Sequence, residues 1–301
     1  MNQNRKTMRF YKYQGAGNDF LVADNRSGAY DSLTPGMIAE LCDRRYGFGA
    51  DGLMLLEESR AADFKMVFYN PDGGGGMMCG NGGRCMVAFA AWLGYTSFAF
   101  EAADGLHTAE IVEHNEALTR MTVRLKMTDV VHWEALSDGD WYLDTGTRHR
   151  VRFVAGDLAE VAVDQEGRAL RHDPYFAPVG TNVNFVDVVD AEHLRVRTFE
   201  KGVEAETYAC GTGIVASCVA SVLSGRVPYP ALGSDPRVVL QVQALRDALS
   251  VDFEPLPQDL RQAAGCCARE IWLTGPAVQV GEVIATNLPV PVNGRSFHPG
   301  I

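Results

Sequence analysis

Apolar and polar residues alternate over short stretches through most of the chain, and turn residues separate the stretches. That pattern predicts many short strands and few helices. Residues 9–24 read as strand, glycine turn, strand (RFYKYQ, GAGND, FLVAD). Strands are predicted again at 53–57, 64–69, 108–115, 119–127, 148–156, 182–190, 195–199, 238–243, 249–253 and 270–273. A helix is predicted after Thr34-Pro35, a cap followed by a first-turn proline, running through Met37, Ile38 and Leu41. Two further runs, MVAFAAWL (86–93) and IVASCVASVL (214–223), are apolar nearly all round. A helix with that pattern is enclosed on every side.

The two enclosed helices belong to an internal repeat. VFYNPDGGGGMMCGNGGRCMVAFAAWLG ends at Gly94, and TFEKGVEAETYACGTGIVASCVASVLSG ends at Gly225. They match without a gap at an offset of 131 residues. Each has a Phe 11 residues before a Cys (Phe68 and Cys79, Phe199 and Cys210), then Cys-Gly-x-Gly, then a Gly 15 residues after the Cys. A duplicated domain accounts for this, and 301 residues suit two domains of about 150 each. Each half is expected to be a strand layer curled around one central helix, with a cysteine at the helix start.

Composition narrows the function. Hydrophobic residues are 47% and charged residues 22%, an ordinary globular balance. With 38 acidic and 27 basic residues the net charge is −11, which disfavours nucleic acid as a partner. The longest apolar-leaning stretch, 86–100, is broken at Gly94–Ser97 and is shorter than the roughly 20 residues a spanning helix needs. No membrane role is expected. The N-terminus carries charge without an apolar run behind it, so a signal peptide is not expected and the cytoplasm is. Seven cysteines, an odd number, read as reduced thiols. Gly47-x-Gly49-x-x-Gly52 precedes a strand rather than a helix and reads as a turn. The glycine run 73–76 reads either as a mobile loop over a cleft or as a permissive turn. The tail, 287–301, is rich in Pro and Gly and is expected to be loose.

The duplicated cysteine carries the chemistry. A helix start leaves backbone N–H groups unpaired and carries about half a positive charge, so it binds anions and favours a thiolate. If the halves are related by pseudo-twofold symmetry, Cys79 and Cys210 face each other across a cleft. A carboxylate held between the two helix starts then has one sulfur on each face of its α-carbon. One thiolate removes the α-proton and the opposite thiol returns one, as a two-base racemase requires. The scheme needs no metal and no pyridoxal cofactor. Cys-x-x-Cys is absent, against a zinc ribbon or a dithiol redox site.

At these residues the chain resembles the diaminopimelate epimerase family. The matching pieces are QGAGNDF (14–20), GADGLM (49–54), YNPDG with MCGNGGRC (69–85), TNVNF (181–185), ETYACGTG (206–213) and IWLTGPA (271–277). The resemblance implies an α+β fold of two pseudo-symmetric domains, each a curled, mostly antiparallel sheet around a central helix. The expected division is 8–128 with a C-terminal return at 276–286, then 129–275, then the tail. It implies a cofactor-independent isomerase interconverting L,L- and meso-2,6-diaminopimelate, a lysine and peptidoglycan precursor. Cys79 and Cys210 would be the acid/base pair, with His149 and Glu200 flanking them. Gly80, Asn81, Gly211 and Thr212 would hold the reacting carboxylate. Asn18, Asn70, Thr147, Asn182, Glu200 and Lys201 would bind the rest of the substrate. The chain departs from the family pattern where Thr147-Arg148 replaces Asn-Pro, where Lys201 replaces Arg, and where Gly281 replaces a Tyr of the usual dimer contact. A racemase of another amino acid, such as histidine, is the alternative, and a homodimer is left open.

Overall fold

The computed structural model describes residues 6–76, 78–231 and 233–288. In chain order the first half contains β1 (Lys6–Gly15), β2 (Asn18–Asp24), α1 (Pro35–Cys42), β3 (Gly52–Glu57), β4 (Phe64–Tyr69), α2 (Gly80–Trp92), β5 (Ala99–Ala102), β6 (Gly105–His114) and β7 (Arg120–Lys126). The second contains β8 (His132–Ala135), β9 (Trp141–Asp144), β10 (Arg148–Phe153), α3 (Val163–Arg171), β11 (Asn182–Val188), β12 (His193–Glu200), β13 (Ala205–Thr207), α4 (Gly211–Leu223), β14 (Val238–Gln243), β15 (Ala248–Pro255), α5 (Gln258–Ala264) and β16 (Ala268–Leu288).

The strands form one hydrogen-bonded sheet that curls twice. β1 to β7 run side by side in sequence order to β16, and β1 pairs with β16 as well, so this half closes on itself around α2. From the same β16 the sheet continues through β15, β14, β12, β11, β10 and β9 to β8, wrapping α4. A bridge between Val130 and Ala268 brings the chain before β8 back to β16. Only β2–β3, β4–β5, β10–β11 and β12–β14 are parallel, so the fold is the expected α+β type with mostly antiparallel pairing.

β16 is much longer than the predicted 270–273. Gly275-Pro276 reads as a strand break, because proline cannot donate to a ladder. Here the pair falls where the strand changes partner. Thr274 still opposes Ser250 of β15, and Gly275 already opposes Val123 of β7. One strand therefore ties the two halves together.

Both central helices match their apolar patterns. Every residue of α2 from Gly80 to Ala91 is buried, and in α4 only Thr212 and Leu223 are not. Truncating a residue such as the fully buried Phe89 to alanine would cost about 3–5 kcal/mol. α1 begins as predicted, with the Thr34 side chain accepting from the Met37 amide and Pro35 in the first turn. The glycine run behaves as a tight turn. Gly73 has φ +83° and a Cβ there would lie 2.2 Å from the Pro35 carbonyl oxygen, while a Cβ at Gly76 would lie 2.4 Å from the Phe68 ring. The sequence did not predict α3. It buries only Val163 and Gly167, and a Cβ at Gly167 would lie 2.4 Å from that of Phe199. It docks by close approach rather than through an apolar stripe. Most of the tail, 289–301, lies outside the described residues.

Candidate active site

α2 and α4 start with Cys79 and Cys210 as N-caps, both extended (φ −115° and −104°) and neither giving its helix a side-chain cap bond. The two starts abut. A Cβ on Gly211 would lie 3.9 Å from the Gly80 Cα and 2.9 Å from Leu273 of β16, so the closeness requires glycine. A side-chain bond spans the seam: Asn81 Nδ2 donates to the carbonyl of Ala209, next to Cys210, at 2.9 Å.

Behind Cys79 the support is amide and guanidinium. Arg84, fully buried, donates from Nη2 to Asn81 Oδ1 at 2.6 Å and reaches the carbonyls of Gly80 and Pro276 at 3.4 Å. Asn81 Nδ2 also donates to Asn18 Oδ1 at 2.5 Å, and Asn18 Nδ2 donates to Asp51 at 3.0 Å. Behind Cys210 the support is hydroxyl and imidazole. Cys210 Sγ lies 3.5 Å from Thr212 Oγ1, which lies 2.9 Å from His149 Nε2. Thr147 Oγ1 also lies 2.9 Å from Nε2, and Asn184 Nδ2 lies 3.1 Å from His149 Nδ1.

The expected lowering of the thiols does not hold: Cys210 is buried and Cys79 partly so, and both lose solvent at the seam between the helix starts. Burial pushes the Cys79 thiol up, and Glu200 adds to this. The amides of Gly82 and Asn81 and the Arg84 guanidinium pull the other way without prevailing. Burial pushes Cys210 up as well, again with Glu200, against the Thr212 hydroxyl and the Gly213 amide. Desolvation disfavours the thiolate more than a few N–H dipoles favour it. Burial also raises the Glu200 carboxyl, with Asp51 contributing. His149 is pushed down to about 3, first by burial and then by the Lys201 charge, and so is neutral. Among the described residues no group of three or more His, Cys, Asp or Glu could hold a metal ion, and no helix is long and apolar enough to cross a membrane.

The family model for diaminopimelate epimerase matches residues 10–133 and 141–234. A diaminopimelate epimerase of Flavobacterium psychrophilum is 42% identical over 73% of this chain and 83% of its own. Another, of Aquifex aeolicus, is 36% identical over 91% of this chain and 96% of its own. The chain belongs to the diaminopimelate epimerase family. Solved structures share the fold at low identity. A PhzF-family phenazine biosynthesis protein of Bacillus anthracis matches with TM-score 0.68 at 16% identity, over 93% of this chain and 99% of that one. A hydroxyproline epimerase of Agrobacterium vitis matches with TM-score 0.63 at 16% identity, over 95% and 92%.

Several residues singled out by resemblance to the family are engaged within the protein. His149 touches neither thiol directly; Thr212 stands between it and Cys210. Asn182 donates to the Arg148 carbonyl at 3.0 Å and to Thr147 at 3.3 Å, and it accepts from the Lys201 amide at 2.8 Å. It therefore fixes the backbone that carries Thr147 and Lys201. Asn18 has partners for both ends of its amide. Asn70 is exposed and bonds its own turn through the Gly75 carbonyl at 3.3 Å. Sequence reasoning passed over Arg84, Asp51 and Asn184. The repeat could have flagged the last, since the offset sets Asn184 against apolar Leu53 in an equally buried strand.

Proposed function

We propose that this protein is a cofactor-independent two-thiol epimerase interconverting L,L- and meso-2,6-diaminopimelate. The observation that carries the reading is the abutting pair of helix starts, each capped by a cysteine. Binding a carboxylate would need only the amides of Gly80, Asn81, Gly211 and Thr212. The two sulfurs are surplus to binding and suit proton transfer at the adjacent carbon.

In this reading one cysteine, as thiolate, takes the α-proton: the Cα–H bond breaks and an S–H bond forms. The opposite cysteine gives its proton to the other face, so its S–H bond breaks and a new Cα–H bond forms. The two sulfurs exchange protonation states in each turnover. Their raised proton affinity suits this step, because an α-proton is a very weak acid and a more basic thiolate accepts it with a smaller uphill gap. The amides of the first turns stabilise the charge that spreads onto the carboxylate. Thr147 and Lys201 would contact the far end of the substrate, where Lys201 supplies charge without a planar fork. Free thiols at all seven cysteines fit a reducing compartment, and we place the reaction in the cytoplasm.

The test is to supply L,L-diaminopimelate and L-histidine separately, with nothing else added, and resolve the products by chiral chromatography. Conversion of diaminopimelate to the meso isomer, with histidine untouched, is expected. Racemised histidine beside inert diaminopimelate would overturn the substrate assignment.

A further inference from the structure

The buried polar line behind Cys210 has a direction, and Asn184 sets it. Asn184 Nδ2 lies 3.2 Å from the Arg150 carbonyl, and its Oδ1 lies 3.0 Å from the Thr198 hydroxyl. A carbonyl can only accept, so the amide nitrogen must face it. That fixes the other contact of the same nitrogen: Asn184 donates to His149 Nδ1 at 3.1 Å. A neutral imidazole carries one proton, so it resides on Nε2. Nε2–H then donates toward the hydroxyl oxygens of Thr147 and Thr212, both at 2.9 Å. With its oxygen accepting from histidine, Thr212 is free to direct its own proton at Cys210 Sγ, 3.5 Å away. In the other tautomer Nε2 carries a single lone pair for which both threonine hydroxyls compete as donors, and a Thr212 proton spent there is lost to the sulfur.

Packing holds this line in register. Asn184, His149 and Thr198 are all buried, at 0%, 0% and 3% exposure. A Cβ on Gly213 would lie 2.2 Å from Asn184 Oδ1 and 3.3 Å from His149 Cε1. The second glycine of Cys-Gly-x-Gly in this half is therefore the space that the amide and the ring occupy at the helix start. Beyond the line, the charges of Glu200 and Cys79 act on Cys210, and that of Lys201 acts on His149.

We propose that Asn184 is a positioning residue for the reaction: it locks His149 as the Nε2–H tautomer so that the Thr212 hydroxyl donates to Cys210 and stabilises its thiolate. This rests on the two-thiol reading for its kinetic consequence but not for the tautomer itself.

The experiment has two arms. In the first, the full-length protein is labelled with ¹⁵N-histidine and examined without substrate, the His149 signals being identified by their loss in His149→Gln. Protonated Nε2 and bare Nδ1 are expected in the wild type, and the reverse in Asn184→Asp, whose carboxylate demands a proton from Nδ1. A wild-type His149 protonated on Nδ1 would overturn the proposal whatever the substrate is. In the second arm, Asn184→Asp is compared with and without Thr212→Val, which keeps the shape and removes the hydroxyl. About a tenfold fall in kcat is expected when Thr212 is present, with KM little changed. Less than a twofold fall is expected in the Thr212→Val background, because the effect runs through that hydroxyl. An equal fall in both backgrounds would show that Asn184 acts only on the fold and would overturn the proposal. If Asn184→Asp does not fold, the wild-type tautomer alone decides. Wild-type protein that is inert toward diaminopimelate but has His149 protonated on Nε2 counts against the substrate reading, not against the lock.

Discussion

The two halves place a cysteine on the same scaffold and support it with different chemistry. Offset by 131 residues, the limits of α2 and α4 coincide, Gly80 with Gly211 and Trp92 with Leu223. Even the polar contact behind each cysteine recurs. Asn81 bonds Asn18 in the first half, and Thr212 bonds His149 at the equivalent positions in the second. What differs is the next partner. Asn81 is held by the buried Arg84 guanidinium, where α4 has Val215. His149 is held by the neutral amide of Asn184, where β3 has Leu53. The duplicated backbone fixes where the sulfurs are, and the unshared side chains set how each holds its proton. Burial raises both thiols, but the Arg84 guanidinium opposes this at Cys79 and the Thr212 hydroxyl at Cys210, so different groups favour each thiolate on a nearly symmetric frame.

The largest effect comes from removing either side of that pair. Cys79→Ser and Cys210→Ser should each lower kcat for epimerisation by about a thousandfold or more, since a hydroxyl is a far weaker base at neutral pH. Near-normal turnover by either variant would break the comparison at its root. Next is the asymmetry. Arg84→Met should cut kcat/KM by about tenfold to a hundredfold, as expected when a charged hydrogen-bond donor is lost. It should also move the pH midpoint for alkylation of Cys79 upward while leaving that of Cys210 in place. Peptide mapping after timed alkylation reads both, and an unmoved Cys79 midpoint would remove Arg84 from the account.

Much of the scaffold was legible because its signals are local. The Cys-Gly-x-Gly pair, the all-round apolar runs and the Thr34-Pro35 cap each mark an element with few neighbours required. α3 was not legible, because Gly167 reads as a helix breaker yet is the contact itself, pressed onto Phe199. β16 was read short because Pro276 ends a strand only when its missing N–H is needed, and here the ladder changes partner beside it. The cysteines and His149 were legible by motif, but their protonation was not. The burial of Cys210 and the His149 ring, and the partial burial of Cys79, depend on how the two halves close over them, and no local spacing reports that.

A smaller effect concerns acid stability, which is expected to be a property of the Cys210 half. Folded His149 stays neutral down to about 3, whereas an unfolded histidine titrates near 6.5. Between those values unfolding takes up a proton. Stability is therefore intact above about pH 6.5 and falls as pH drops through that window. Thermal melts at pH 7.5 and 5 should show the loss, and His149→Gln should reduce it. An equal loss in the variant would assign the acid sensitivity elsewhere. Smallest is the far end of the cleft. Lys201→Ala should raise KM about threefold to fivefold with kcat little changed, and Lys201→Arg should hold or lower KM. A change confined to kcat would move Lys201 from recognition to the reaction itself.

The central claim, one sulfur on each face of one carbon, is tested most directly by isotope placement in the first turnovers. L,L-Diaminopimelate bearing ordinary hydrogen is incubated in deuterated water and quenched before a tenth has reacted. Separate acid and base sulfurs, each exchanged with solvent, predict deuterium at the inverted centre of essentially every meso molecule and none at the α-carbons of the recovered L,L isomer. Meso product that keeps the substrate's own hydrogen at that centre would mean that a single group carries the proton from face to face, and would contradict the account.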